Sequence, residues 1–286
     1  MTGRLFIFGL GYSGLEIAKL ARAAGWEVAG TVRDADKAGQ YTAEGIKTHL
    51  FDGTAPLAAE GLSKATHVLC TIAPGTTGDP ALRLCAPRLR EARWFGYLST
   101  TGVYGDAGGG WVDETTPARP GQPRSLSRLA TERAWQVMAF EAGAALDIFR
   151  LPGIYGPGRS AIDQVKAGTA RRIDKPDHPF SRIHVADIAN TVLAALTASR
   201  GAIYNVADDL PASTADVVAY ACELLAMPVL PLIPWAEIAP TMSEMARSFY
   251  AESRRVKNDR IKQELGVTLR YPTYREGLKA IATTSP

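Results

Sequence analysis

The 286-residue chain has few of the residues that build metal centres or disulfide frameworks. It contains three cysteines, which lie far apart and show no C-x-x-C spacing, and its four histidines are also scattered. A zinc site or a disulfide scaffold requires such residues at short, regular intervals. The sequence therefore predicts a reduced, cytoplasmic protein that holds no metal.

Long apolar runs and a large charge of one sign are absent as well. No apolar stretch approaches the ~20 residues that a membrane-spanning helix needs, and no cationic segment precedes the short apolar run Leu5–Phe8 as it would in a secretory leader. The net charge of +3 is too small to indicate a nucleic-acid partner. We therefore expect a globular protein whose ligand is a small molecule, with neither a membrane nor nucleic acid as its partner.

The first fourteen residues carry the most informative motif. A predicted buried strand, Arg4–Phe8, leads into a G-x-G-x-x-G segment, and an amphipathic helix follows over Leu15–Ala24. In a dinucleotide-binding βα unit the first glycine makes the turn, the second admits a pyrophosphate, and the third lets the helix pack on the strand. Free N–H groups and the positive end of the helix dipole then face the phosphates. The motif predicts these cofactor-binding residues: Gly9, Gly11, Tyr12, Ser13 and Gly14.

Strands and helices alternate along the rest of the chain, which predicts an α/β fold with a doubly wound parallel sheet of the Rossmann type. We assign residues 1–155 to the dinucleotide-binding core, and 156–286 to a mixed region in which a smaller substrate lobe is interleaved with returning core elements. Two segments rich in Gly and Pro interrupt the alternation: Gly105–Pro123, predicted as a long loop, and Gly156–Phe180, predicted as a mobile lobe or lid. The predicted strands are Arg4–Phe8, Glu27–Val32, Lys47–Phe51, His67–Ile72, Trp94–Ser99, Asp147–Leu151 and Ala202–Val206.

Side chains at the predicted strand ends indicate how a dinucleotide would be held. Arg33 follows the second strand, where an arginine meets the 2′-phosphate of NADP and an acidic residue meets the ribose of NAD. Lys37 lies one turn further on and favours NADP, whereas Asp34 leaves NAD open. Asp52 follows the third strand and is placed to reach the adenine amino group. Ala73, in the small-residue loop after the fourth strand, is placed to lie along the cofactor.

Four further segments resemble the extended short-chain dehydrogenase/reductase superfamily, the NAD-dependent sugar-nucleotide epimerases and dehydratases. They are Leu98–Gly105, Arg150–Gly158, Arg182–Asp187 and Tyr204–Ala207, in the order of that family's motifs. The resemblance implies the Rossmann fold, an NAD(P) cofactor and a homodimer that pairs through the predicted helices Pro80–Arg93 and Leu126–Gly143. It also implies a catalytic role for Thr100, or for its neighbour Thr101, which would hydrogen-bond a substrate oxygen; the other role open to Thr100 is to cap the backbone at the strand end.

The same resemblance exposes a departure, because the chain contains no Y-x-x-x-K. The surrounding frame is present in Glu114-x-x-Pro117 and Glu132, and counting back from Glu132 puts Arg128 at the lysine position and Arg124 at the tyrosine position. An arginine stays protonated and cannot exchange a proton with a substrate hydroxyl. We expect Arg128 to hydrogen-bond the nicotinamide ribose, and Arg124 either to orient a carboxylate or phosphate or to point into solvent.

Other residues have two interpretations each. Tyr104 and Tyr155 are alternative acids or packing residues, and His184 is expected to anchor a strand end rather than to act as a base. Five basic residues could grip a phosphorylated or nucleotide-linked substrate or occupy exposed turns: Arg171, Arg172, Arg254, Arg255 and Lys257.

Two functions follow from this pattern, beside a third in which the chain is a scaffold with a vestigial groove. The first is an NAD(P)-dependent oxidoreductase or epimerase-like enzyme with altered acid–base chemistry. The alternative is a sensor or regulatory protein that binds NADP(H) without catalysis.

Overall fold

The computed structural model describes residues 3–284, so the outermost residues of the predicted ranges 1–155 and 156–286 lie outside the described residues. Its strands are β1 (Arg4–Phe8), β2 (Glu27–Val32), β3 (Lys47–Leu50), β4 (His67–Cys70), β5 (Trp94–Thr100), β6 (Trp111–Val112), β7 (Ala145–Leu151), β8 (Gly153–Tyr155), β9 (Arg172–Asp174), β10 (Arg182–His184), β11 (Ile203–Asn205), β12 (Leu232–Pro234) and β13 (Arg255–Val256). Its α-helices are α1 (Tyr12–Ala23), α2 (Ala35–Ala43), α3 (Ala59–Leu62), α4 (Pro80–Leu89), α5 (Pro123–Ala142), α6 (Ala161–Lys166), α7 (Val185–Ala198), α8 (Thr214–Leu224), α9 (Trp235–Ile238), α10 (Glu244–Ser248), α11 (Asp259–Leu265) and α12 (Tyr274–Thr284).

A seven-stranded parallel sheet forms the core, with its strands in the order β11-β7-β5-β4-β1-β2-β3. Its members correspond to the seven strands predicted from the sequence, and the α/β Rossmann class is confirmed. β11 and α7 follow residue 156 in the chain and yet belong to this core. Within residues 3–284, no helix is both long and apolar enough to cross a membrane.

Both faces of the sheet are covered at its centre, which explains why β1, β4 and β5 are mostly apolar and buried, whereas the edge strand β3 is polar and partly exposed. In β1, Leu5 and Ile7 face the cluster built with α1 and α7, whereas Phe6 and Phe8 face the cluster built with α4 and α5. Successive side chains of a strand point to opposite faces. The run Arg4–Phe8 therefore supplies two hydrophobic cores at once.

The smaller lobe packs α6, α8 and α12 around a separate hydrophobic cluster and carries the two-stranded pairs β8–β10 and β9–β12. The two segments predicted as a loop and a lid contain regular structure. Gly105–Pro123 includes β6, which pairs with β13, and Gly156–Phe180 includes α6 and β9. Ser160 and Asp163 form a capping box at the start of α6, so local hydrogen bonding accounts for this helix.

A buried ion pair ties α5 to the sheet. Arg150, on β7, donates from Nε and Nη2 to the two carboxylate oxygens of Glu132 at 3.2 and 2.7 Å. Ser99, on β5, donates to the same carboxylate at 2.5 Å. The side chains of Glu132 and Arg150 are 2% and 5% exposed, so water cannot replace either partner.

We expect Glu132→Ala to lower the free energy of unfolding by ~3–5 kcal/mol, because it leaves the buried Arg150 guanidinium without its counter-charge. Glu141→Ala, on the same helix, is the matched control: its carboxylate pairs with Arg90 at 3.4 Å, and both side chains are at least half exposed. That loss should stay below ~1 kcal/mol. Urea denaturation of the two variants makes the comparison, and equal losses would contradict the assignment of α5's anchor.

Candidate functional site

A groove of about 880 Å³ lies at the carboxyl ends of the first four strands of the chain. The residues after β1, β2, β3 and β4 line it together, because parallel strands end at the same edge of a sheet. Of the residues predicted to bind a cofactor, the structure places these on its lining: Gly9, Gly11, Arg33, Asp52 and Ala73. Lys37 lies on it as well.

The three glycines of the opening motif occupy different environments. Gly9 has φ +94°, a conformation that favours glycine. A Cβ on Gly14 would lie 2.1 Å from the carbonyl oxygen of Gly9, whereas one on Gly11 would have no heavy atom within 4 Å. The turn, the open approach and the close helix–strand contact are thus located where the motif predicts them.

The charged residues after β2 have different partners. Asp34 caps α2, since its carboxylate accepts a hydrogen bond from the backbone N–H of Lys37 at 3.0 Å. The exposed side chains of Arg33 and Lys37 form no ion pair with any residue between 3 and 284. All three residues line the groove; one oxygen of Asp34 is engaged in capping α2, while Arg33 and Lys37 have no ion-pair partner among the described residues.

Among the other predicted cofactor residues, Asp52 lies on the groove lining, whereas Tyr12 and Ser13 do not. Asp52 accepts hydrogen bonds from Thr54 through one carboxylate oxygen, and these bonds lower the pKa of the Asp52 carboxyl. Tyr12 and Ser13 open α1, and the Tyr12 hydroxyl donates to the carbonyl of Pro157 at 3.1 Å. Tyr12 thus links the glycine turn to the loop after β8.

A second pocket, of about 490 Å³, lies at the end of β5 beside the first turn of α5. The structure brings Thr100, Arg124 and Arg128 together on its lining, so the predicted catalytic threonine shares one cavity with the two arginines at the tyrosine and lysine positions predicted from the sequence. The segment that leads into β13 closes the opposite wall with Glu252 and Arg254, joined by an ion pair of 2.6 Å.

Thr100 and Arg128 are each partly engaged by the protein. Thr100 Oγ1 accepts a hydrogen bond from the backbone N–H of Gly102 at 3.1 Å, which leaves its hydroxyl hydrogen free to donate. Arg128 Nη1 donates to the carbonyl of Leu98 at 2.8 Å and to the hydroxyl of Tyr97 at 3.1 Å. These bonds fix the guanidinium against β5.

Comparison with known proteins agrees with this architecture. The model of the NAD dependent epimerase/dehydratase family matches residues 6–207, well over half of the chain. This protein belongs to that family. Among curated relatives, Protein YeeZ of Escherichia coli (strain K12) is 28% identical over 225 residues, 71% of this chain and 77% of YeeZ.

Solved structures of similar proteins cover nearly the whole chain. A conserved protein of unknown function from Silicibacter pomeroyi is 43% identical, with a TM-score of 0.89 and 99% of each chain covered. UDP-glucuronic acid 4-epimerase from Bacillus cereus, determined in complex with NAD, is 16% identical, with a TM-score of 0.78 over 98% of this chain and 96% of its own. At that identity the second comparison establishes the fold alone.

The two tyrosines considered as alternative acids lie outside the pocket that contains Thr100. The hydroxyl of Tyr104 donates to Asn205 at 2.7 Å, and that of Tyr155 donates to the carbonyl of Thr273 at 3.3 Å. Burial raises the pKa of both phenols, so each is a weaker acid than an exposed tyrosine. The structure brings neither of them to the site.

His184 and the predicted basic cluster are also dispersed. His184 caps α7, with Nδ1 accepting from the N–H of Ala186 at 3.1 Å, and burial lowers the pKa of its imidazole to about 4. Of the five basic residues, only Arg254 lines the pocket with Thr100; Arg255 lies on a different surface cavity. The five residues therefore do not form one binding surface.

Sequence reasoning missed Ser125, which also lines this pocket. A Cβ built on Gly102 would lie 2.5 Å from Ser125 Oγ and 3.4 Å from Thr100 Oγ1, so both hydroxyls flank Gly102. Nothing in the local sequence marks Ser125, which follows the position aligned with the family's tyrosine.

The environments of Gly14 and Gly11 predict that replacement by alanine destabilises the protein at one position and hardly affects it at the other. Gly14→Ala must displace the backbone of the turn and should cost ~1–3 kcal/mol of unfolding free energy. Gly11→Ala meets open space and should change it by less than ~1 kcal/mol. Chemical denaturation of the two variants in parallel checks this, and a Gly14→Ala protein as stable as the parent would refute the close contact.

Proposed function

We propose that the chain binds NADP(H) in the groove and a small or nucleotide-linked substrate in the adjoining pocket. It acts there as an oxidoreductase or epimerase-like enzyme with non-standard acid–base residues. The observation that carries the proposal is the shared edge of the sheet. Ala73, after β4, lines the groove, and Thr100, at the end of the neighbouring strand β5, lines the pocket.

The groove fits a dinucleotide. The exposed Gly11 leaves room for a pyrophosphate at the start of α1, where backbone N–H groups and the helix dipole favour anions. A bound nicotinamide dinucleotide supplies a ring that accepts or donates hydride. The UDP-glucuronic acid 4-epimerase structure, which contains NAD, supports this class of cofactor.

The preference for NADP rests on the charges after β2. Arg33 and Lys37 have no carboxylate partner within the described part of the chain, whereas Asp34 already caps α2. A guanidinium holds a 2′-phosphate through charge-assisted hydrogen bonds. Asp34 also lines the groove, but one of its two carboxylate oxygens is already engaged in capping α2.

The pocket's own residues bind and orient more readily than they move protons. Thr100 keeps a hydroxyl hydrogen for a substrate oxygen, and Arg128 has donors left for the nicotinamide ribose. The lining contains no tyrosine, lysine or histidine among the residues described. Proton transfer is therefore assigned to the substrate, to water or to the glutamates of the pocket wall.

Replacing Arg33 tests the choice of cofactor. We expect Arg33→Ala to weaken NADP binding roughly ten- to hundredfold, as for the loss of a charge-assisted hydrogen bond, and NAD binding less than ~threefold. Isothermal titration with both dinucleotides measures this, with Arg133→Ala, an exposed residue of α5, as the control. An equal loss of both affinities would show that Arg33 does not bind the phosphate.

Turnover tests the enzyme itself. Hydroxy-, keto- and nucleotide-linked compounds are incubated with protein and NADP(H), and products are followed by mass spectrometry as well as by nicotinamide absorbance, since epimerisation leaves the cofactor unchanged overall. We expect Thr100→Val to lower kcat at least ~tenfold while NADP affinity is retained. Gain of activity in the double variant Arg124→Tyr, Arg128→Lys would show that the site is otherwise competent. No turnover at high enzyme concentration would count against catalysis.

The lack of a tyrosine–lysine pair favours one alternative, a sensor that binds NADP(H) without catalysis. It predicts tight dinucleotide binding, no turnover, and hydrogen-exchange protection in the smaller lobe that differs between NADP⁺ and NADPH. Steady turnover that Thr100→Val abolishes would eliminate it.

The homodimer through α4 and α5 and the cytoplasmic location stay predictions. The outer face of α5 exposes Leu126, Val137 and Phe140, the last of them 88% exposed.

A further inference from the structure

The first turn of α5 lines the pocket and has no side-chain cap. Gln122 is the N-cap and provides no side-chain cap, and Pro123 occupies the first turn. The backbone N–H of Arg124 has no acceptor among residues 3–284. The positive end of a twenty-residue helix therefore faces the cavity without a protein ligand.

Ser125 supplies an independent observation at the same place. It is 8% exposed, it lines the pocket, and its Oγ has no hydrogen-bond partner within the described chain. The oxygen itself is open to the pocket, so it is available to hydrogen-bond a ligand there. Gly102 leaves room for this hydroxyl, because a Cβ at position 102 would lie only 2.5 Å from Ser125 Oγ.

The charges around this turn favour an anion. The charged side chains of the lining are three arginines and two glutamates, and Glu252 already pairs with Arg254. Arg124 and Arg128 form no ion pair with any described residue. Only the exposed Glu244 opposes them, so the pocket keeps a positive excess next to the free N–H and O–H groups.

We propose that the start of α5 binds an oxyanion of the substrate, a carboxylate or a phosphate. Ser125 Oγ and the N–H of Arg124 are its direct ligands, and the guanidinium groups of Arg124 and Arg128 are its counter-charges. The inference rests on the proposed function in one respect, which is that the pocket receives the substrate. It narrows the substrates to acids and phosphate esters that carry the anion near the group held by Thr100.

Titration with simple anions tests the site directly. Inorganic phosphate and acetate are added separately to ¹⁵N-labelled protein saturated with NADP⁺, which keeps phosphate out of the groove, and the amide signals of Arg124 and Ser125 are followed. We expect saturable shifts, with an affinity that falls about tenfold in Ser125→Ala and severalfold in Arg124→Gln. The matched controls Ser127→Ala and Arg133→Gln, on the same helix, should bind like the parent. The stronger of the two probes indicates which oxyanion the site prefers.

Gly102→Ala tests the same site without replacing Ser125 or Arg124. Its methyl group must displace Ser125 Oγ, so it should weaken anion binding as much as Ser125→Ala does. The double variant should bind no more weakly than either single variant, because both changes remove the same ligand.

The outcomes separate this inference from the proposed function. Parent-like anion binding in Ser125→Ala, or shifts that never saturate, would overturn the oxyanion site while NADP⁺ binding remains intact. Failure of NADP⁺ to bind would instead overturn the proposed cofactor. In that case the comparison of Ser125→Ala with Ser127→Ala is repeated without dinucleotide and still decides the anion site.

Discussion

The ion pair between Glu132 and Arg150 determines where the working end of α5 lies. Both carboxylate oxygens are bound, and Ser99 adds a third bond, so this part of the helix cannot slide along the sheet. Ser125 lies two helical turns earlier, roughly 10 Å along the axis. A rigid helix transmits the anchoring over that distance and holds the first turn of α5 beside Thr100.

The rest of the site follows from the parallel sheet and from one long-range pairing. Parallel strands bring the groove and the pocket to the same edge, although their residues come from distant parts of the chain. The opposite wall depends on β13, which pairs with β6, and on Arg254, which bonds the carbonyl of Gly105 at 2.9 Å. The segment around β13 therefore shapes the pocket, and Tyr12 links the glycine turn to the loop after β8.

The core was predictable from sequence because its signals are local. Strands buried on both faces must be apolar, and Gly9 and Gly14 are required by backbone geometry within six residues. The pairing of β6 with β13 has no such signal, since two residues near 111 meet two near 255. For Tyr104 and Tyr155, the sequence motif is the same whether the tyrosine acts as an acid or packs in the core. Only tertiary structure, by bringing Asn205 and Thr273 to their hydroxyls, distinguishes the two roles.

Arg124 and Arg128 give the pocket a fixed charge and no group that can relay a proton. A phenol and an amine can be tuned towards neutral pH, whereas a guanidinium stays protonated across the range in which proteins are folded. The pocket therefore keeps the positive charge of its arginines at every working pH. We expect such a pocket to select ligands by their charge more strongly than by the positions of their hydroxyl groups.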